Sequence, residues 1–124
     1  MIRIFQQTYH VAGSASANLA ITFVMPCDAT LFHASAVGSN AHDATLTIGD
    51  SDDADEYLAA GAIGDSHTPA EFDSDDWLNS SGSTDDPYYP HLAKDTIIKI
   101  AVDYDGDGGT AIDDFTLVLT FLEG

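Results

Sequence analysis

Apolar and polar residues alternate with a period of two in several stretches of the chain. Leu19, Ile21, Phe23 and Met25 share one face opposite Asn18, Ala20, Thr22 and Val24. Ala44, Leu46 and Ile48 alternate with Thr45 and Thr47. Further on, Ile98, Ile100, Val102 and Tyr104 alternate with Ile97, Lys99, Ala101 and Asp103, and Phe115, Leu117, Leu119 and Phe121 with Thr116, Val118 and Thr120. Side chains of a strand point alternately to its two faces, so these stretches predict half-buried strands rich in β-branched and aromatic residues. Residues 2–11 and 29–37 predict two more strands with weaker alternation.

No stretch carries an apolar stripe at helical spacing with caps. The best helical candidate is 53–62, where Tyr57, Leu58 and Ala60 allow one or two turns before Gly61 and Gly64 close it. Strands separated by Gly, Asp, Ser and Pro predict an all-β fold, an antiparallel β-sandwich. About eight strands in one domain over residues 1–124 suit a jelly roll. Residues 64–90 have no clean period and carry Pro69, Pro87 and Pro90, which predicts an irregular loop excursion. Loops that long are uncommon unless they serve binding or oligomer contact.

Charge adds an orientation to this picture. Three Lys and Arg face 21 Asp and Glu, a formal net charge of −18 on 124 residues. Gripping nucleic acid takes clustered cations, and anionic membrane surfaces repel an acidic protein, so neither partner is expected. With 44% hydrophobic and 10% aromatic residues the chain is nevertheless globular in composition. The acids are concentrated, with five in 50–56, four in 71–76, two in 85–86 and five in 103–114. Residues 1–42 carry only Arg3 and Asp28 as formal charges. Charge depletion marks subunit interfaces, and Ile4, Phe5, Tyr9 and Val11 are therefore the candidate interface residues. The near N-terminal residues break any apolar run, so neither a secretory leader nor a membrane span is expected.

Candidate chemistry is sparse. Asp103, Asp105, Asp107, Gly108 and Asp114 place oxygen donors at positions 1, 3, 5 and 12 and a glycine at 6, the ligand order of a calcium loop. The flanking strands are wrong for an EF-hand, and the same residues serve as a Gly-Asp turn with solvated carboxylates. The acidic stretch 50–56 lacks the glycine that bends an ion loop. Ile-Gly-Asp-Ser occurs at 48–51 and 63–66, which strand-ending turns explain better than an esterase motif. His10, His33, His42, His67 and His91 show no metal spacing. The lone Cys27 reads as a small buried hydrophobe. Trp77, Tyr88 and Tyr89 offer either an aromatic sugar platform or anchors that pin the excursion down.

Taken in order, Phe23-Val-Met-Pro26, Ala29-Thr-Leu31, Ala44-Thr-Leu-Thr-Ile-Gly49, Ile63-Gly64, Val102-Asp103-Tyr-Asp105-Gly106 and the ending Phe115-Thr-Leu-Val-Leu-Thr-Phe-Leu-Glu-Gly124 resemble a family of small tailed-phage virion structural proteins. That resemblance implies a non-enzymatic sandwich that decorates or cements a capsid, or serves as a head or tail accessory protein. It also implies a virion location after assembly in the host cytoplasm, with the major capsid protein or another virion protein as partner. A homo-oligomer, a trimer by preference, follows from the same reading. No cofactor is required. Loop 103–114 is more acidic here than in similar proteins, so any calcium belongs to this chain rather than to the family. The alternative is a calcium-dependent carbohydrate- or host-surface-binding sandwich. Adaptation to high salt is a further explanation of the acidity.

Overall fold

The computed structural model of the chain describes residues 3–78, 82, 84 and 88–124. Nine strands and no helix are present among them: β1 Ile4–Ser14, β2 Leu19–Val24, β3 Ala29–Val37, β4 Thr45–Asp50, β5 Leu58–Ala62, β6 Ala70–Phe72, β7 His91–Leu92, β8 Ile97–Asp103 and β9 Asp113–Glu123. All six stretches with period-two patterning are strands. Asp85, Asp86 and Pro87, part of the predicted excursion, lie outside the described residues.

The strands form two antiparallel sheets. One runs β1-β9-β3-β6, with β7 also on β3, and the other β2-β8-β4-β5. The pairings β1 with β9, β2 with β8, β3 with β6 and β7, and β4 with β5 are those of one long antiparallel hairpin wound into a sandwich. This is the jelly-roll arrangement. The count is nine rather than about eight because β6 and β7 share one strand's place. β6 covers Ala34 to Ala36 of β3, and β7 covers Ala29 and Thr30. The excursion departs between them.

Residues 53–62 form no helical turn. Leu58 is buried, and β5 takes the hydrogen bonds offered by β4 across a register shift between Leu46 and Ile48. One or two isolated turns carry the full nucleation cost with little return, so an open sheet edge outcompetes them. The core lies between the sheets, where Met25, Leu31, Leu46, Ile48, Ile98, Ile100, Phe115, Leu117, Leu119 and Phe121 are essentially inaccessible. Cys27 is half-buried and packs on its margin.

Connections gather at two ends. At one, backbone bonds tie Asp43 to Thr110, Gly38 to Gly64, Ser39 to Asp113 and Ala15 to Ile112. At the other, Met25 bonds to Thr96, Leu31 to Pro90, Leu78 to Tyr57 and Gly124 to Asp28.

Candidate interaction surface

Asp disfavours strand interiors and suits turns. Among the described residues, the acids other than Glu71 of β6 accordingly sit at or beyond the ends of the strands. Apart from residues at or next to a strand's end, the only formal charge in the nine strands is Lys99 of β8. This sharpens the picture from sequence, where the chain divided into a neutral first third and an acidic remainder. In three dimensions it has acidic ends and neutral sides.

The outward face of the β1-β9-β3 sheet shows the neutrality residue by residue. Its cross-strand rows are Ile4–Leu122–Thr30, Gln6–Thr120–His33, Thr8–Val118–Ser35 and His10–Thr116–Val37, none with a formal charge. Gln6 donates to the Thr120 hydroxyl at 3.2 Å, and His10 Nδ1 lies 2.8 Å from the Thr116 hydroxyl. At the border, Glu71 lies 3.6 Å from His33. Sequence pattern supplied the β1 column, whereas Leu122, Val118 and Val37 join it only through non-local register. The period-two alternation of β9 was the one local signal for Val118.

Strand β1 is also an edge, bonded to β9 alone. Of the four candidate interface residues, Ile4 points outward and is 63% exposed. Phe5, Tyr9 and Val11 point inward and remain half-buried because the sandwich is open on this side. Phe5 stacks on Phe121 with ring centroids 5.0 Å apart, and Phe23 meets Phe121 edge-on at 6.0 Å. Tyr9 packs on Phe23 at 6.3 Å, and burial pushes its hydroxyl above the ordinary tyrosine range. Edge strand β2 contributes Leu19, Ile21 and Phe23, also half-buried. An aromatic and aliphatic seam thus runs between the two edges.

The other sheet's outward face holds an open cleft of ≈ 510 Å³ between Ala20, Thr22, Lys99 and Ala101 and the turn carrying Asp50 and Asp52.

The structure divides the calcium-type motif. Asp103 accepts from the backbone N–H groups of Asp105 and Asp107, and Asp105 accepts from Asp107 at 3.1 Å. These bonds close the loop on itself. Hydrogen bonding from the Gly108 backbone is the leading reason that the Asp105 carboxyl lies below the usual carboxylate range. Asp114 takes no part. Its two oxygens accept from Gly13 N–H and the Ser39 hydroxyl, both at 2.8 Å, and these bonds depress its pKa. The sequence reading missed Asp43, which caps Thr110 N–H at 2.7 Å and lies against Gly106 and Gly109. Among the described residues, no three His, Cys, Asp or Glu side chains converge as a metal site.

In the 50–56 turn, Asp50 accepts from the N–H groups of Asp52 and Asp53 and from the Tyr57 hydroxyl. Hydrogen bonding from Asp55 holds Asp53 below the usual range, and Asp53 in turn pushes Asp55 and Glu56 up.

Trp77 is fully buried, so neither face of its ring is open for stacking on a sugar. It anchors the chain under the excursion, where Leu78 N–H bonds to Tyr57 O at 2.9 Å. Tyr88 packs half-buried on the core and Tyr89 is 46% exposed. The three do not form one exposed platform.

Fold and surface together define a jelly-roll sandwich with neutral sides and acidic ends. The chain is similar in fold to a chain of the structure described as "Cyanophage Pam1 capsid asymmetric unit", with a TM-score of 0.57 and 15% identity over 99% of this chain and 85% of that one. No protein-family model and no curated protein sequence matches it.

Proposed function

We propose that the protein is a non-enzymatic structural component of a phage virion, a decoration or cement protein that binds the assembled shell through its neutral sides. The observation that carries this reading is the fold likeness to a chain of a phage capsid asymmetric unit across 99% of the sequence. The surface supports it independently. Interface cores are depleted of charge, and the cross-strand rows of the β1-β9-β3 face carry none. Carboxylates crowded at the ends keep particles dispersed by mutual repulsion. The partners are the major capsid protein or another virion protein, and further copies of the chain.

Co-expression with the capsid genes of its source genome tests the reading. The chain is expected to sediment with assembled shells, and Val118→Asp, which places a charge in the middle of the neutral face, is expected to release it. A chain that stays at the top of the gradient while shells sediment would overturn the proposal.

A further inference from the structure

The edge of β1 is unguarded. Natural sheets protect long edge strands with charges, prolines or bulges, because an open row of N–H and C=O groups templates pairing with another chain. From Ile4 to Val11 there is no charge and no proline, and the register shift with β9 comes only between Val11 and Ser14. The half-buried Phe5 and Tyr9 lie directly behind this edge.

The direction of the free groups follows from one bond. The carbonyl of Arg3 accepts from Glu123 N–H at 2.8 Å, so it points toward β9. Backbone groups of an antiparallel strand alternate in direction. Phe5, Gln7, Tyr9 and Val11 therefore also turn toward β9, while Ile4, Gln6, Thr8 and His10 present theirs to the open edge.

We infer that a second copy of this chain pairs on that edge, β1 against β1 in antiparallel orientation about a two-fold axis at Gln7. Hydrogen-bonded positions must face each other, so only registers pairing even with even residues are allowed. The register centred on Gln7 uses all four free positions, setting Ile4 opposite His10 of the second copy and Gln6 opposite its Thr8. On the inner side it sets Phe5 opposite Tyr9, extending the aromatic seam from one sandwich into the next. No like charges meet in any pair. Antiparallel pairing also brings the Arg3 end of each strand to the other copy's Ser14 end, which pairs with Asp113. Arg3, ion-paired with Glu123 of its own chain at 2.6 Å, therefore lies opposite Val11 of the second copy rather than against another arginine. This deepens the virion reading, on which it rests for the expectation of many copies, but the contact is a property of the chain alone.

Sedimentation of the purified chain tests it. The expected mass is twice the 13.1 kDa of one chain, in place of the trimer favoured from sequence. Thr8→Pro removes a free-edge N–H without touching the β1–β9 ladder, and it is expected to restore the single-chain mass with the thermal midpoint of unfolding retained. Gln7→Cys in a Cys27→Ser background keeps the test decisive should the proline variant misfold. Its thiols meet at the axis in a closely spaced pair, so mild oxidation is expected to cross-link the dimer, whereas Thr8→Cys in the same background stays largely uncross-linked. A monomer at every concentration, a trimer mass, or cross-linking equal at both positions would overturn the inference. Failure to bind shells with the dimer intact would instead overturn the virion reading.

Discussion

His42 is bonded at both ring nitrogens, a role that nothing in its local spacing distinguishes among five histidines. Its Nδ1 accepts from Ala44 N–H at 3.0 Å, so Nε2 carries the proton that it donates to Gly64 O at 2.8 Å. The ring thereby ties the β3–β4 connection to the β5–β6 connection. Replacing it with alanine leaves a backbone donor and an acceptor without partners, a loss of about 1–3 kcal/mol in urea unfolding. Trp77 makes a sharper prediction, because it separates the core role from the sugar-platform one. As a buried anchor, Trp77→Ala is expected to cost about 3–5 kcal/mol. A variant of unchanged stability would contradict that role. Loop 103–114 is closed by its own backbone N–H groups. Calorimetric midpoints in millimolar calcium and in excess chelator are therefore expected to coincide, and a rise with calcium would mean that the carboxylates gather on an ion instead.

At the scale of elements, most of the sandwich was legible because its strands bury one face and alternate accordingly, as β2, β8 and β9 show. Strand β5 was not, since Leu58-Ala-Ala-Gly-Ala62 carries no alternation and Ala favours helix. Its conformation is imposed by pairing with β4. Strands β6 and β7, of three and two residues, are too short to leave a period at all. The neutral surface was half legible: absence of charge is a local property of residues 4–24, but which β9 and β3 side chains continue the face depends on register. At Asp114 the counting runs along the chain, while its carboxylate turns to Gly13 and Ser39 on other elements. Gly49 illustrates the same non-local control. A Cβ there would lie 2.2 Å from the Asp53 carbonyl oxygen, so the acidic turn folds back directly over β4. Backbone cannot yield as a flexible side chain can, and Gly49→Ala is expected to lower stability by about 1–3 kcal/mol in denaturant unfolding.

For the whole molecule, concentrating the acids at two ends has a consequence that can be read from its pH dependence. Asp105, Asp114 and Glu123 have folded-state pKa values depressed below the ordinary 3.8, 3.8 and 4.5 by hydrogen bonds or by Arg3. The stability they contribute is fully present above those ordinary values and is lost as pH falls through the depressed ones. Asp55 and Glu56 have the opposite sign: crowding against Asp53 raises them above 3.8 and 4.5, so the folded state takes up their protons first. Acidification through that range favours folding, and it also relieves the self-repulsion of a net charge of −18. The thermal midpoint at low ionic strength is therefore expected to rise as pH falls from 7 toward the raised carboxyl values, then to drop below about pH 3.8 as the hydrogen-bonded carboxylates protonate. Raising salt at pH 7 shortens the screening length from about 30 Å at 0.01 M to about 3 Å at 1 M and should mimic the first limb. Each 1 kcal/mol relieved corresponds to about 4 °C for a chain of this size. Asp53→Asn separates the two limbs, because it removes the charge that raises Asp55 and Glu56 while leaving Asp105, Asp114 and Glu123 in place. Calorimetry on that variant should show a flatter rise and a low-pH loss that persists, smaller by the share of Asp53, whose own carboxyl is held below the ordinary range; a steady decline from pH 7 downward in the parent chain would show that repulsion at the acidic ends does not limit its stability.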